Sequence, residues 1–128
     1  MSIVIVLLIV ISIDHTSYAD EQPELIKMRS TAYCLQGITC TGKEVRPGIC
    51  ASGNKALIGK TLILYQRLPD GSVGRMLGIL ECEDTGCNEH VIDTWMPDLE
   101  WCQEWMNLVY EDGCQGKIYV QVVEESYG

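Results

Sequence analysis

The chain has 128 residues, with 18 Asp or Glu against 9 Lys or Arg and a formal net charge of −9. That length suits one small domain with a real core and is too short for two. Apolar residues make up 47% and charged ones 21%, a globular balance that excludes a disordered chain. An acidic chain without a basic run offers no cationic face to phosphates, so no nucleic-acid partner is expected.

Residues Ile3 to Ile13 form an eleven-residue run of Ile, Val and Leu broken only by Ser12. A helix needs ~20 apolar residues to span a bilayer, so no stable membrane span is expected. The run has the length of a signal-peptide core instead, and Ser17-Tyr18-Ala19 puts small residues where a signal peptidase reads them. The chain is therefore expected to divide into a signal peptide (1–19), a linker (20–25) and one domain (26–128). It should act outside the cytoplasm, secreted or associated with the cell wall.

Export frames the seven cysteines, Cys34, Cys40, Cys50, Cys82, Cys87, Cys102 and Cys114. Disulfides persist outside the cytoplasm, so a disulfide-bonded monomer is expected. An odd count leaves at least one thiol over, and the sequence does not define the pairing. Cys82, Cys87 and His90 fall within nine residues, but the Cys-x4-Cys spacing and the lack of a fourth ligand argue against zinc. Neither a metal nor a cofactor is expected.

Alternation begins after the linker. Ile26, Met28, Ser30 and Ala32 share one face of a strand, with Lys27, Arg29, Thr31 and Tyr33 on the other. From Gly37 to Asn54 the glycines and Pro47 indicate loop and turn. Thr61 to Gln66 reads as a strand rich in branched and aromatic residues, and Leu68-Pro69-Asp70-Gly71-Ser72 as a turn. Arg75 to Cys82 returns as the second arm of a hairpin. Pro97, Asp98 and Glu100 suit the first turn of a helix whose packing face is Leu99, Cys102, Met106 and Val109, ending near Gly113. Ile118, Val120 and Val122 alternate in a closing strand. Short strands, one short helix and no internal repeat predict an all-β fold closed into a small barrel.

Three segments carry the chemistry. The first runs from Thr31-Ala32-Tyr33-Cys34 through Gly37, Thr41-Gly42 and Arg46-Pro47-Gly48 to Cys50-Ala51. The second is Leu57-Ile58-Gly59-Lys60-Thr61; the third is Glu83-Asp84-Thr85-Gly86 with Ile92-Asp93 behind it. In this order and spacing they resemble the 3D (three-aspartate) domain of bacterial cell-wall proteins, over about Thr31 to Val123. That family is related to the catalytic barrel of outer-membrane lytic transglycosylase A and to stationary-phase survival proteins. The resemblance implies a six-stranded double-psi β-barrel acting on peptidoglycan glycan strands, cleaving O-glycosidic bonds without a cofactor.

Carried over by motif, Asp93 corresponds to the general acid/base and Asp84 to the aspartate of Asp-Thr-Gly that tunes or orients it. Thr85, Gly86 and Tyr33 fall where the substrate would lie. Two acids suit the chemistry: protonating a glycosidic oxygen needs a carboxyl that holds its proton near neutrality, and a neighbouring carboxylate or burial raises its pKa. When the sugar's own hydroxyl attacks, one residue serves as acid and then as base, unlike the usual two-carboxylate hydrolases. Trp95, two residues beyond Asp93, is expected to line the groove and stack on sugar, while Trp101 and Trp105 are expected to pack in the core. Glu83 and Glu89 read as solvated acids.

The chain departs from the family pattern in two places. Ser52-Gly53-Asn54 stands where the first aspartate belongs, and the stretch from Asp84 to Asp93 is short, with Cys87, Asn88, Glu89 and His90 in place of glycines. A non-catalytic glycan-binding or structural barrel is therefore the alternative. Retroviral-type aspartic proteases also carry Asp-Thr-Gly, but Glu81-Cys82-Glu83 precedes it here, where those enzymes have aliphatic residues.

Overall fold

A computed structural model describes residues 24–124, and the expected signal peptide and most of the linker lie outside the described residues. Six strands form its framework: β1 (Leu25–Tyr33), β2 (Ile49–Ser52), β3 (Thr61–Arg67), β4 (Val73–Asp84), β5 (Val91–Trp95) and β6 (Lys117–Val123). One helix, α1 (Leu99–Tyr110), joins β5 to β6 through a short 3-10 turn at Glu111–Gly113. Hydrogen bonding runs in a closed ring, β1-β5-β2-β4-β3-β6 and back to β1. Closure leaves no strand edge unpaired. The β1–β5 and β2–β4 pairs are parallel and the others antiparallel.

Alternation explains the long strands. In β3 the buried positions are Leu62, Leu64 and Gln66, with half-buried residues between them. Met28, Leu62, Leu64, Leu80, Ile92, Ile118 and Val120 pack together inside the ring, joined by Trp105 and Val109 from α1. Gln66 is tolerated there because its polar ends are satisfied. Its Nε2 donates to Asp112 Oδ2 at 2.8 Å, and its Oε1 accepts from Arg75 N at 3.0 Å.

β2 was expected to be loop. All four of its residues are buried, so it shows no alternation, and it is too short to stand out among flanking glycines. It nonetheless sits centrally, between β4 and β5. Along the β2–β4 pair Cys50 is opposite Cys82 and Ala51 opposite Asp84, which leaves Glu83 as an extra residue in β4, a β-bulge.

Helix α1 starts where the acids and Pro97 indicated. Asp98 is its N-cap, with Oδ1 accepting from Trp101 N at 2.9 Å. Its packing face differs from the expected one. Trp105 and Val109 are buried, Cys102, Met106 and Leu108 are half-buried, and Leu99 is 77% exposed. The indole N–H of Trp105 donates to Ser30 Oγ of β1 at 2.8 Å, which settles the rotation of the helix over that strand. The β3–β4 turn is a surface turn, with Asp70 Oδ1 accepting from Ser72 N at 2.9 Å.

Candidate functional site

Register brings the first two site residues together. In the parallel β1–β5 pair Thr31 is opposite Asp93 and Tyr33 opposite Trp95. Thr31 Oγ1 donates to Asp93 Oδ1 at 2.8 Å, a contact between residues 62 apart in sequence. Asp93 is half-buried, and burial raises its pKa above the ordinary aspartate value, while the Thr31 hydrogen bond opposes that rise. Of the two causes expected to raise it, burial acts and a neighbouring Asp84 charge does not, which corrects the carboxylate half of that expectation.

Tyr33 links the two aspartates. Its hydroxyl is buried and has no hydrogen-bond partner among the described residues. Burial first, then the carboxylates of Asp84 and Asp93, hold its phenol well above the ordinary value. Tyr33 therefore stays protonated, its hydroxyl shut away from solvent within the field of both acids.

Asp84 ends β4 and serves the backbone. Its Oδ1 accepts from Cys40 N at 3.0 Å and from Thr85 N at 2.9 Å. One carboxylate oxygen thus closes the turn into Thr85-Gly86 and ties the segment after β1 to the end of β4. Thr85 and Gly86 are exposed, and Gly86 has a φ of 121°, which a side chain would strain.

Beside Asp84, Glu83 is the opposite of a solvated acid. It is 3% exposed, and both of its carboxylate oxygens accept from the Arg46 guanidinium, Nη1 to Oε1 at 2.7 Å. Lys43 Nζ lies 3.7 Å from the same carboxylate. The Arg46 hydrogen bonds and charge hold Glu83 below the usual glutamate range. Together with Asp84 and Cys40 N, this clamp fastens the 38–46 loop against β4. Glu89, by contrast, is exposed as expected, beside His90.

The tryptophans exchange their expected roles. Trp95 is 5% exposed and its Nε1 donates to Leu35 O at 2.8 Å, so it anchors the segment after β1 rather than offering a face to sugar. Trp105 is in the core as expected, but Trp101 is 56% exposed and borders a cleft with Met96 and Leu108.

Ser52, at the place of the first family aspartate, is fully buried and its Oγ accepts from Asn54 N at 3.1 Å. Among the described residues no three of His, Cys, Asp or Glu form a set able to hold a metal ion. No helix there is long and apolar enough to cross a membrane.

No family model matches the chain, and no curated protein matches it either. Thr31, Glu83 and Arg46 were not singled out from sequence as parts of the site. All three lie in the segments that carry the chemistry, and Thr31 has the further signal that the β1 alternation puts it on the same face as Tyr33.

Proposed function

We propose that the chain is an exported peptidoglycan-remodelling enzyme of the lytic transglycosylase type, built as a double-psi β-barrel of the 3D-domain family. The motif order supports the family, and the closed six-strand ring with two parallel pairs is compatible with it. The observation that carries the catalytic reading is Asp93. It is a half-buried carboxyl whose pKa is raised by desolvation, beside a protonated and unpartnered tyrosine hydroxyl. A carboxyl whose pKa is raised is what general acid–base work on a glycosidic bond requires.

In this reading Asp93 protonates the leaving glycosidic oxygen. Its carboxylate then takes the proton from the sugar hydroxyl that attacks the anomeric carbon, so the proton count closes on one residue. Asp84 holds the 38–46 loop and the Thr85-Gly86 turn as a wall of the glycan groove, and Trp101 supplies the exposed indole for stacking.

One observation favours a second reading, a wall-binding barrel without catalysis. Ser52 is buried and carries no carboxylate, so the site has two aspartates where the family has three. Incubation of residues 20–128 with purified peptidoglycan, followed by mass analysis of soluble fragments, separates the two. The enzyme releases fragments, and Asp93→Asn, nearly isosteric but unable to donate the proton, loses ~10²–10⁴-fold of that release while still sedimenting with the wall. Wild-type protein that sediments with the wall and releases nothing would transfer the reading to the binding module.

A further inference from the structure

We propose that the chain carries two disulfide sites, Cys50–Cys82 and Cys34–Cys102, one sealed inside the ring and one reachable from solvent. Cys50 and Cys82 are register partners on the neighbouring parallel strands β2 and β4, so their side chains leave the ring on the same side. Neighbouring strands lie ~4.8 Å apart, inside the ~4.4–6.8 Å separation that bridged Cα atoms adopt. Both residues are 0% exposed. The neighbouring Cys82 thiol and burial keep Cys50 protonated when reduced.

The second pair joins two elements far apart in sequence. Cys34 follows the last residue of β1, and Cys102 lies in the first turns of α1. Cys34 lies close enough to Cys102 for its charge to act on that thiol, and the residue before it, Tyr33, is bonded to Met96 just ahead of α1. The segment is already held in position from both sides, by Met96 N donating to Tyr33 O and by Trp95 Nε1 donating to Leu35 O, each at 2.8 Å. Both cysteines are half-buried rather than sealed.

The remaining thiols are engaged elsewhere. Cys40 Sγ contacts Glu83 O at 3.5 Å, and Cys87 Sγ contacts Ala51 O and Val91 O at 3.6 Å. Cys114 is buried beside the 3-10 turn after α1. Cys87 lies close enough to feel the charge of Cys82 and to act on Cys50, which makes it the natural competitor for the inner pair.

Each bridge forms by two thiol–disulfide exchanges with a low-molecular-weight disulfide. One protein thiolate attacks the reagent and expels one small thiolate, leaving a mixed disulfide; the partner thiolate then attacks the protein sulfur and expels the second. The protein loses two electrons to the reagent, and the two thiol protons end on the two released small thiols. Because Cys102 is held up by burial and by the charges of Cys34, Asp93 and Asp98, its exchange quickens as pH rises.

The two sites differ in access, and that difference is the test. Full chain, folded in the reduced state, is exposed to oxidised glutathione, alkylated, and mapped as non-reduced peptides. A Cys34–Cys102 linkage is expected, with Cys50 and Cys82 neither linked nor glutathionylated. When the reduced chain is refolded in the same reagent, both linkages are expected. In Cys34→Ser, native-state oxidation should stop at a glutathione adduct on Cys102, while refolding still yields Cys50–Cys82. Cys34 and Cys102 left alkylatable, or linked to other partners, would overturn the outer site. A refolded chain with Cys82 joined to Cys87, or with Cys50 free, would overturn the inner one. Neither readout depends on peptidoglycan cleavage, so failure here is distinct from failure of the enzymatic reading.

Discussion

Glu83→Gln isolates the electrostatic clamp beneath the site. The Glu83 side chain is 4% exposed and that of Arg46 is 42% exposed, so the two ends of this ion pair sit in different environments. Removing one partner of a fully buried pair costs about 3–5 kcal/mol, mostly because the other charge is stranded. Arg46 is not stranded, because on release it regains water. The loss is then closer to that of hydrogen bonds to a charged group, about 1.5–3 kcal/mol, and glutamine retains one acceptor. A cost of about 2 kcal/mol follows. At a urea slope of about 1–3 kcal/mol per molar, the unfolding midpoint followed by tryptophan fluorescence falls by about 1 M.

The pH dependence has a definite sign. Glu83 has a folded pKa below its ordinary value of 4.5, so its contribution is complete above that value and disappears as pH falls through the folded pKa. The gap between wild type and variant is therefore full at pH 7 and narrows in acid. Equal midpoints at pH 7, or a gap that widens on acidification, would refute the clamp. The variant should also loosen the 38–46 loop, seen as faster amide exchange at Cys40, whose N–H bonds to Asp84.

Asp93→Asn should raise stability at neutral pH. Its folded pKa is above the ordinary 3.8, so wild-type stability falls as pH rises from there through the folded pKa, and the advantage of the uncharged variant vanishes in acid below 3.8. Thr31→Val removes the hydrogen bond that holds the Asp93 pKa down, so the alkaline limb of fragment release should move to higher pH; an unchanged profile would detach Thr31 from the acid. Gly53→Ala should destabilise by about 1–3 kcal/mol or more in denaturant titration, because its Cβ would stand 2.1 Å from the Cys87 carbonyl oxygen and 2.7 Å from the Asn88 carbonyl carbon. Asp70→Asn, at the exposed β3–β4 turn, should leave fragment release within a few-fold of wild type.

Sequence alone determined the strands that meet the core on one face. β1 and β3 alternate because one side of each packs inside the ring and the other does not, and that two-residue period is visible without a structure. The helix start was legible for a similarly local reason, since Asp98 caps the backbone amide of a residue three positions on. Tertiary structure decided β2, whose four buried residues have no polar face to mark them. It also decided which indoles are covered: Trp95 at the end of β5 is buried and bonded to the Leu35 segment, whereas Trp101 on α1 is exposed. The bulge at Glu83 buried an acid that reads as solvated, and only the loop carrying Arg46 makes that burial tolerable. The site itself rests on the parallel pairing of β1 with β5. Thr31 and Asp93 meet through a register between segments sixty-two residues apart, and pairing at that range depends on closure of the whole ring rather than on any local pattern.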